Sequence, residues 1–465
     1  MNMINVRRLT VMTFLGASML SGISAQVSPL QVDTLKETKI PDQWDLQSCI
    51  DYAKEQNITI RKNRITAAST QIDVKTAKAV MFPSLSFSTS QQVVNRPYQE
   101  TSSRVSGSEI ISSNSKTSYN GNYGLNASWT LYNGNKRLKT IQQEKLNNQM
   151  AELDVATSEN NIQESIAQVY IQILYAAESV KVNENTLQVS IAQRDRGQEL
   201  LNAGSIAKSD LAQLEAQVST DRYQLVTAQA TLEDYKLQLK QLLELDGENE
   251  MNIYLPALSD ENVLAPLPTK RDVYISALSL RPEIEASKLN VEASELGINI
   301  AKSSYFPTIS LSAGIGTNHT SGSDFTFGEQ VKNGWNNSIG LSVSVPIFNN
   351  RQTKSAVQKA KLQYETSMLS LLDEQKALYK TIESLWLDAN SAQQRYAAAN
   401  EKLKSTQISY ELISEQFNLG MKNTVELLTE KNNLLQAQQE QLQAKYMAIL
   451  NTQLLKFYQG DQLAL

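Results

Sequence analysis

At 465 residues the chain has room for about three ordinary domains, yet its 18 Gly and 10 Pro are nearly absent from several very long stretches, so an elongated, helix-dominated molecule is expected. The formal charge of −5 falls further once Arg7 and Arg8 leave with a leader, which excludes the basic stripe that nucleic-acid binding needs. One cysteine, Cys49, and one histidine, His319, leave no internal disulfide, no zinc-type cluster and little room for a Ser-His-Asp triad, so no catalytic residue, metal or cofactor is expected.

Residues 1–25 have the form of a secretory signal: Arg7-Arg8 precede an apolar run from Leu9 to Leu20, and small residues lead to Ser24-Ala25. That run is short of the roughly 20 residues a spanning helix needs, and no later stretch is apolar for such a length. Residues 26–43 read as a linker. A helix is expected from about Asp45 to Met81, ending at Phe82-Pro83, where proline biases the residue before it toward an extended backbone. Two segments without Asp, Glu, Lys or Arg follow, Phe82 to Asn95 and Thr117 to Asn135. In them Leu85 and Phe87 alternate with Ser84, Ser86 and Ser88, and Leu125, Ala127, Trp129 and Leu131 with Asn126, Ser128 and Thr130, the period of a two-faced strand. From Asn135 to Ala203 the only Gly or Pro is Gly197, which predicts one helix about 100 Å long at 1.5 Å per residue. Gly204 interrupts it. Helical patterning resumes from Ser205 to Asp246, where Leu211, Leu214, Val218, Leu225, Leu232, Leu239 and Leu242 form a three-four seam.

After a Pro-bearing stretch, 247–270, the pattern is repeated. A helix from about Arg271 to Ser304 meets a second Phe-Pro pair, Phe306-Pro307. Two more uncharged segments, Ser303 to Ser323 and Asn333 to Asn350, alternate Ile309, Leu311, Ala313 and Ile315, then Ile339, Leu341, Val343, Val345 and Ile347, with Ser and Gly. Arg351 to Leu419 contains neither Gly nor Pro, and Gly420 leads into a helix from Met421 to Gln459 and a tail at 460–465. Asn133 and Asn349, Ile166 and Ile382, Gly204 and Gly420, and Leu211 and Leu427 keep one offset, that of residues 131 and 347. The Phe-Pro pairs at 82 and 306 lie eight residues further apart, so the first copy carries a loop insertion. Residues 44–246 and 271–459 are therefore one module used twice, too long for a solenoid repeat.

Strands of about ten residues with one apolar and one small-polar face fit a membrane barrel; a soluble sandwich is the alternative for these segments alone. Four strands cannot close a barrel and an open edge cannot sit in lipid, so several chains must contribute. Each long helix set beside two short ones stacked end to end would make a cylinder, with strands at one end, glycine turns at the other and 247–270 at the waist. The expected fold is mainly α with membrane β: coiled-coil hairpins forming an α-barrel, plus four strands per chain.

Several motifs in order then resemble the TolC-type outer-membrane efflux family. The entry helix Trp44-Asp45-Leu46-Gln47-Ser48-Cys49-Ile50-Asp51-Tyr52-Ala53 with Glu55-Gln56-Asn57, the Arg281-Pro282-Glu283 signature and both Phe-Pro pairs are similar to the family's. So are the tips, Asn202-Ala203-Gly204 through Asp210-Leu211 and Asn418-Leu419-Gly420 through Glu426-Leu427, where Glu426 departs from the usual aspartate. The resemblance covers nearly all of the mature chain. It implies a homotrimer closing a 12-stranded barrel in outer-membrane lipid, with a periplasmic helical tunnel. It also implies a periplasmic adaptor (membrane fusion) protein and an inner-membrane pump as partners, and export of small molecules or polypeptides without covalent chemistry. A periplasmic adaptor or a coiled-coil envelope scaffold is the alternative, but an adaptor carries one hairpin between small β-domains and a scaffold leaves the uncharged strands unexplained.

Two candidate sites follow. The hairpin tips, Gly204, Ser205, Asp210, Leu211, Gly420, Met421, Glu426 and Leu427, are the expected adaptor-docking surface, unless these residues only cap helices. Just before the tips, Asp195 and Glu199 occupy the same repeat positions as Glu411 and Glu415, each pair one helical turn apart. If they face the pore they form an acidic, cation-favouring entrance. If they face out, Arg194 and Arg196 balance them.

Overall fold

The computed structural model describes residues 41–98, 102–106, 109–113, 116–246, 251–256, 263–321, 323 and 325–463. The signal peptide expected at 1–25 and most of the linker expected at 26–43 lie outside the described residues. The chain divides into Met1–Asp42 and Gln43–Leu465, and every element below belongs to the second unit.

The first repeat runs α1 (Leu46–Gln56), α2 (Ile58–Ala79), β1 (Ser84–Asn95), β2 (Ser102–Ser106), β3 (Glu109–Ser113), β4 (Thr117–Asn133), α3 (Lys136–Asn202) and α4 (Lys208–Leu242). The second runs α5 (Lys270–Leu280), α6 (Pro282–Ser303), β5 (Thr308–Thr320), α7 (Phe327–Asn333), β6 (Asn336–Ser344), α8 (Gln352–Asn418) and α9 (Thr424–Gln459). The helices α3 and α8 have 67 residues each, as the absence of helix breakers requires. The inserted residues of the first copy fall between β1 and β4, where β2 and β3 pair as a separate antiparallel ribbon.

Three expectations are corrected. The helix expected from Asp45 to Met81 is two helices, because Asn57 leaves the helical region (φ −59°, ψ 127°). Its Oδ1 accepts from the Thr59 and Ile60 amides, capping α2, while its Nδ2 donates to the Leu242 carbonyl at the end of α4, 3.0 Å away. The helix expected from Arg271 to Ser304 likewise breaks at Arg281, which Pro282 holds extended (φ −75°, ψ 123°) at the start of α6. And β6 stops at Ser344 rather than running through Ile347, since Pro346 has no amide for the ladder.

The two breaks are joints where short helices meet end to end. At the first, α4 ends against the start of α2. At the second, the buried Arg281 guanidinium lies 4.3 Å from the Tyr458 ring centroid near the end of α9, pairs with Glu283 at 2.7 Å and reaches Glu164 on α3 at 3.1 Å. Burial opposes its charge, but the hydrogen bond to Glu283 and the neighbouring Tyr458, Glu283 and Glu164 outweigh that and raise its pKa. Alongside, α3 packs on α4 toward the tips and on α2 and α6 toward the strands, while α8 packs on α9 and then on α6. Trp44, Tyr170, Leu239, Leu243, Val263 and Tyr396 fill the core around the first joint. Described residues of the 247–270 stretch are strapped across this level: Tyr170 donates to the Tyr254 carbonyl (2.6 Å), Gln393 to those of Val263 and Ala265 (2.9 and 2.8 Å), and Trp386 to that of Pro268 (3.0 Å).

The main sheet is antiparallel in the order β1-β4-β5-β6, leaving β1 and β6 as edges. Register brings like residues into rows: Leu85, Ala127, Ala313 and Ile339 on one face, and Ser86, Asn126, Gly314 and Ser338 on the other. A bulge between Thr130 and Tyr132 leaves Leu131 without a ladder partner and puts Tyr132 opposite Ile309 and Asn133 opposite Thr308.

Candidate functional site: the hairpin tips and the helix faces behind them

Both tips are built alike. Gly204 and Gly420 sit at φ 74° and 75°, which glycine adopts without strain, and open space surrounds the position a Cβ would take. Ser205 donates back to the Leu200 carbonyl (2.8 Å) and Gly204 to that of Leu201 (2.9 Å), the paired bonds of a Schellman ending; Met421 to Gln416 (2.8 Å) and Gly420 to Phe417 (2.9 Å) repeat it. Six residues after each glycine a carboxylate starts the return helix. Asp210 accepts from the Ala207 amide at 3.0 Å. Glu426 accepts from the Asn423 amide at 3.3 Å while Asn423 accepts from the Glu426 amide at 2.9 Å, a full capping box. Glu426 also takes Lys422 Nζ at 2.6 Å, and these bonds hold its carboxyl below the usual range.

The structure thus gives Asp210 and Glu426 a capping role. Leu211 and Leu427 are removed from any contact surface: they are 9% and 0% exposed, turned into their hairpins by the three-four seam. The exposed apolar groups of the second tip are instead Leu419, Met421 and Val425, at 75%, 70% and 58%. Leu419 and Val425 are additions to the expected set; their signal is an Asn-Leu-Gly-Met turn where a solvated reversal favours polar residues. Gly197 lets α3 and α4 approach, since a Cβ there would lie 2.5 Å from Leu214 Cδ1.

The acidic pairs differ between copies. Asp195 and Glu199 are exposed and paired on their own helix, with Arg194 at 2.5 Å and Arg196 at 2.7 Å. Glu411 and Glu415 are also exposed; Glu411 accepts from Gln407 at 3.2 Å, and neither has an ion pair among the described residues. Unbalanced negative charge therefore sits on the second hairpin.

Behind the tips is a charged contact that the sequence reading missed. Lys431 of α9 bonds Asp221 of α4 and Ser190 of α3, Ser190 donates to Asp221, and Gln217 donates to Asp221 at 2.9 Å. The Lys431 and Asp221 side chains are 4% and 1% exposed. Burial pushes the Lys431 ammonium down, against the pull of Asp221. This pair ties one repeat to the other. A lysine and an aspartate on polar-looking helix faces carry no sequence signal for it.

Residues 49–244 and 273–460 match the model of a family described as outer membrane efflux protein. Among curated proteins the chain is 24% identical over 294 residues to the outer membrane efflux protein BepC of Brucella suis biovar 1 (strain 1330), covering 63% of this chain and 61% of that protein. It is also 24% identical over 294 residues to the outer membrane protein TolC of Escherichia coli (strain K12), covering 61% and 58%. In both comparisons the chain spans less than two thirds of the relative's length. Among solved structures, CusC superposes with a TM-score of 0.76 at 19% identity (90% of this chain, 92% of that one), and VceC of Vibrio cholerae with 0.73 at 16% (90% and 97%).

Proposed function

Because the chain belongs to the outer membrane efflux protein family, we propose that it is the outer-membrane channel of a tripartite efflux or type I secretion system, exporting small molecules or polypeptides through a homotrimeric tunnel. The observation that carries this is the main sheet: four strands, two open edges, and apolar side chains facing outward, with Leu85, Phe87, Ile339 and Leu341 all more than 60% exposed. In water such a face is a liability; in lipid it is a requirement. Joining β6 of one copy to β1 of the next gives twelve strands in three chains and leaves no edge.

The helices support the same closure. Ile58, Ile65 and Ile72 recur every seven residues on α2 and are exposed, as are Leu362, Leu369, Leu372 and Tyr379 on α8. Within the chain α3 packs on α2, and α6 and α9 on α8, so these stripes mark the two outer flanks and meet when copies are placed side by side. Mass measurement in mild detergent, with conductance in a planar bilayer, tests this: trimers that conduct are expected, and non-conducting monomers would defeat it.

Docking of a periplasmic adaptor, joined to an inner-membrane pump, is assigned to the tips through Ser205, Leu419, Met421 and Val425, with Asp210 and Glu426 holding their shape. Adaptor co-purification should fall on Leu419→Ser with Val425→Ser and survive Ala substitution of the waist residue Gln393. Glu411 and Glu415 are assigned to the entrance. Their Gln variants should weaken cation preference more than Asp195→Asn with Glu199→Gln, whose charges are already paired. No loss of cation preference from either set of variants would place neither pair on the pore.

A further inference from the structure

The main sheet has a second property that a membrane does not explain. Charged residues make up 20% of the chain, yet β1, β4, β5 and β6, of 12, 17, 13 and 9 residues, contain no Asp, Glu, Lys or Arg. Lipid excludes charge from the outward face alone; the inward face of a barrel meets water and tolerates charge freely. On that face stand Ser, Thr, Asn, Gln and Gly, with Val94 the exception. Many of these side chains are tied to the sheet itself: Asn122 donates to Ser90 (3.2 Å), Thr320 to Asn120 (2.6 Å), Ser86 to the Asn126 carbonyl (3.4 Å) and Ser312 to the Gly340 carbonyl (3.3 Å). Glycines keep the surface low, and a Cβ at Gly314 would crowd Ser338 Oγ at 3.1 Å and Asn126 Oδ1 at 3.2 Å.

We propose that the sheet's inward face forms an uncharged, hydrogen-bonding passage that lets cationic, anionic and neutral cargo through alike, so that the strands themselves add no charge selection. The proposal rests on the channel function above. It assigns the barrel no role in gripping a phosphate, a carboxylate or a metal ion, because the groups that would do so are missing from a surface that could hold them.

The test is thiol labelling of the full chain in membrane vesicles with a cationic and an anionic methanethiosulfonate of similar size, rates normalised to a free thiol. Cys49 is fully buried, and burial pushes its thiol up to about 12, so background is low. Ser312→Cys and Asn126→Cys should label, with the two reagents within about threefold of each other; Leu311→Cys and Leu125→Cys should stay unlabelled. Ser128→Asp, directly opposite Ser312 in the register, is the positive control: three carboxylates at one level should favour the cationic reagent at Ser312→Cys by at least about tenfold. A tenfold preference at Ser312→Cys without that substitution would overturn the neutral passage. Faster labelling at Leu311→Cys than at Ser312→Cys would overturn the assignment of faces. A protein recovered from vesicles only as monomer would overturn the channel function on which the proposal stands.

Discussion

Replacing Lys431 with Met removes the positive partner of a carboxylate that is 1% exposed, while leaving Asp221 two neutral donors, Ser190 and Gln217. Breaking a buried ion pair from one side costs about 3–5 kcal/mol, and the two surviving donors put the expected loss near the lower end, about 3 kcal/mol. The pair lies among α3, α4 and α9, so the loss falls on the contact between repeats rather than on either hairpin alone. Replacing both members, Lys431→Met with Asp221→Leu, removes the stranded charge and should return stability to within about 1 kcal/mol of the parent. Unfolding of such a long protein is expected to be irreversible, so the measure is the rate of helix loss by circular dichroism in detergent at fixed temperature. If the contact is fully broken in the transition state, about 3 kcal/mol corresponds to roughly 150-fold faster unfolding for Lys431→Met. A single variant within twofold of the parent, or a double variant as fast as the two singles combined, would refute the account.

Ile65→Asp on α2 and Leu369→Asp on α8 should each abolish trimers in native mass measurement while leaving monomer helicity intact, since each strands a charge where about 1.5–3 kcal/mol of apolar burial per side chain is expected. Gly204→Ala and Gly420→Ala, with no neighbour to strike, should each cost about 1–2 kcal/mol through backbone strain alone, read as local hydrogen-exchange protection at the tips. Glu426 has a folded pKa below its ordinary value of 4.5, so its contribution is present above that value and disappears as pH falls through the lower, folded one. Protection at the second tip should therefore drop in acid below about pH 4.5, and Glu426→Gln should flatten that dependence.

The long helices, the four main strands and the two glycine turns were legible because each rests on a local rule: absence of breakers, period two, and positive φ. The internal repeat added the pairing of corresponding elements. The break at Asn57 was not, since Asn57 acts through a carbonyl on a distant helix; the break at Arg281 had a local signal in Pro282, but the packing of Arg281 on Tyr458 did not. Asp210 and Glu426 stood out by spacing, but their hydrogen bonds to the return helices emerge only from backbone geometry. Leu211 and Leu427 illustrate a confusion of motif with surface: they belong to the tip motif and to the seam at once, and burial decides for the seam.

The ladder between β4 and β5 has a consequence for how the chain reaches this state. β1 with β4 and β5 with β6 pair across short separations, but Ser128 must find Ser312 with α3, α4, the linker, α5 and α6 between them. Closing so long a loop from an unstructured chain is slow, and the entropy is recovered only once the intervening helices are docked. The helical body therefore acts as the template that delivers the two halves of the sheet to each other. Assembly order runs from waist to strand tips, and a lesion at a helix joint should surface first as an unpaired β4–β5 edge.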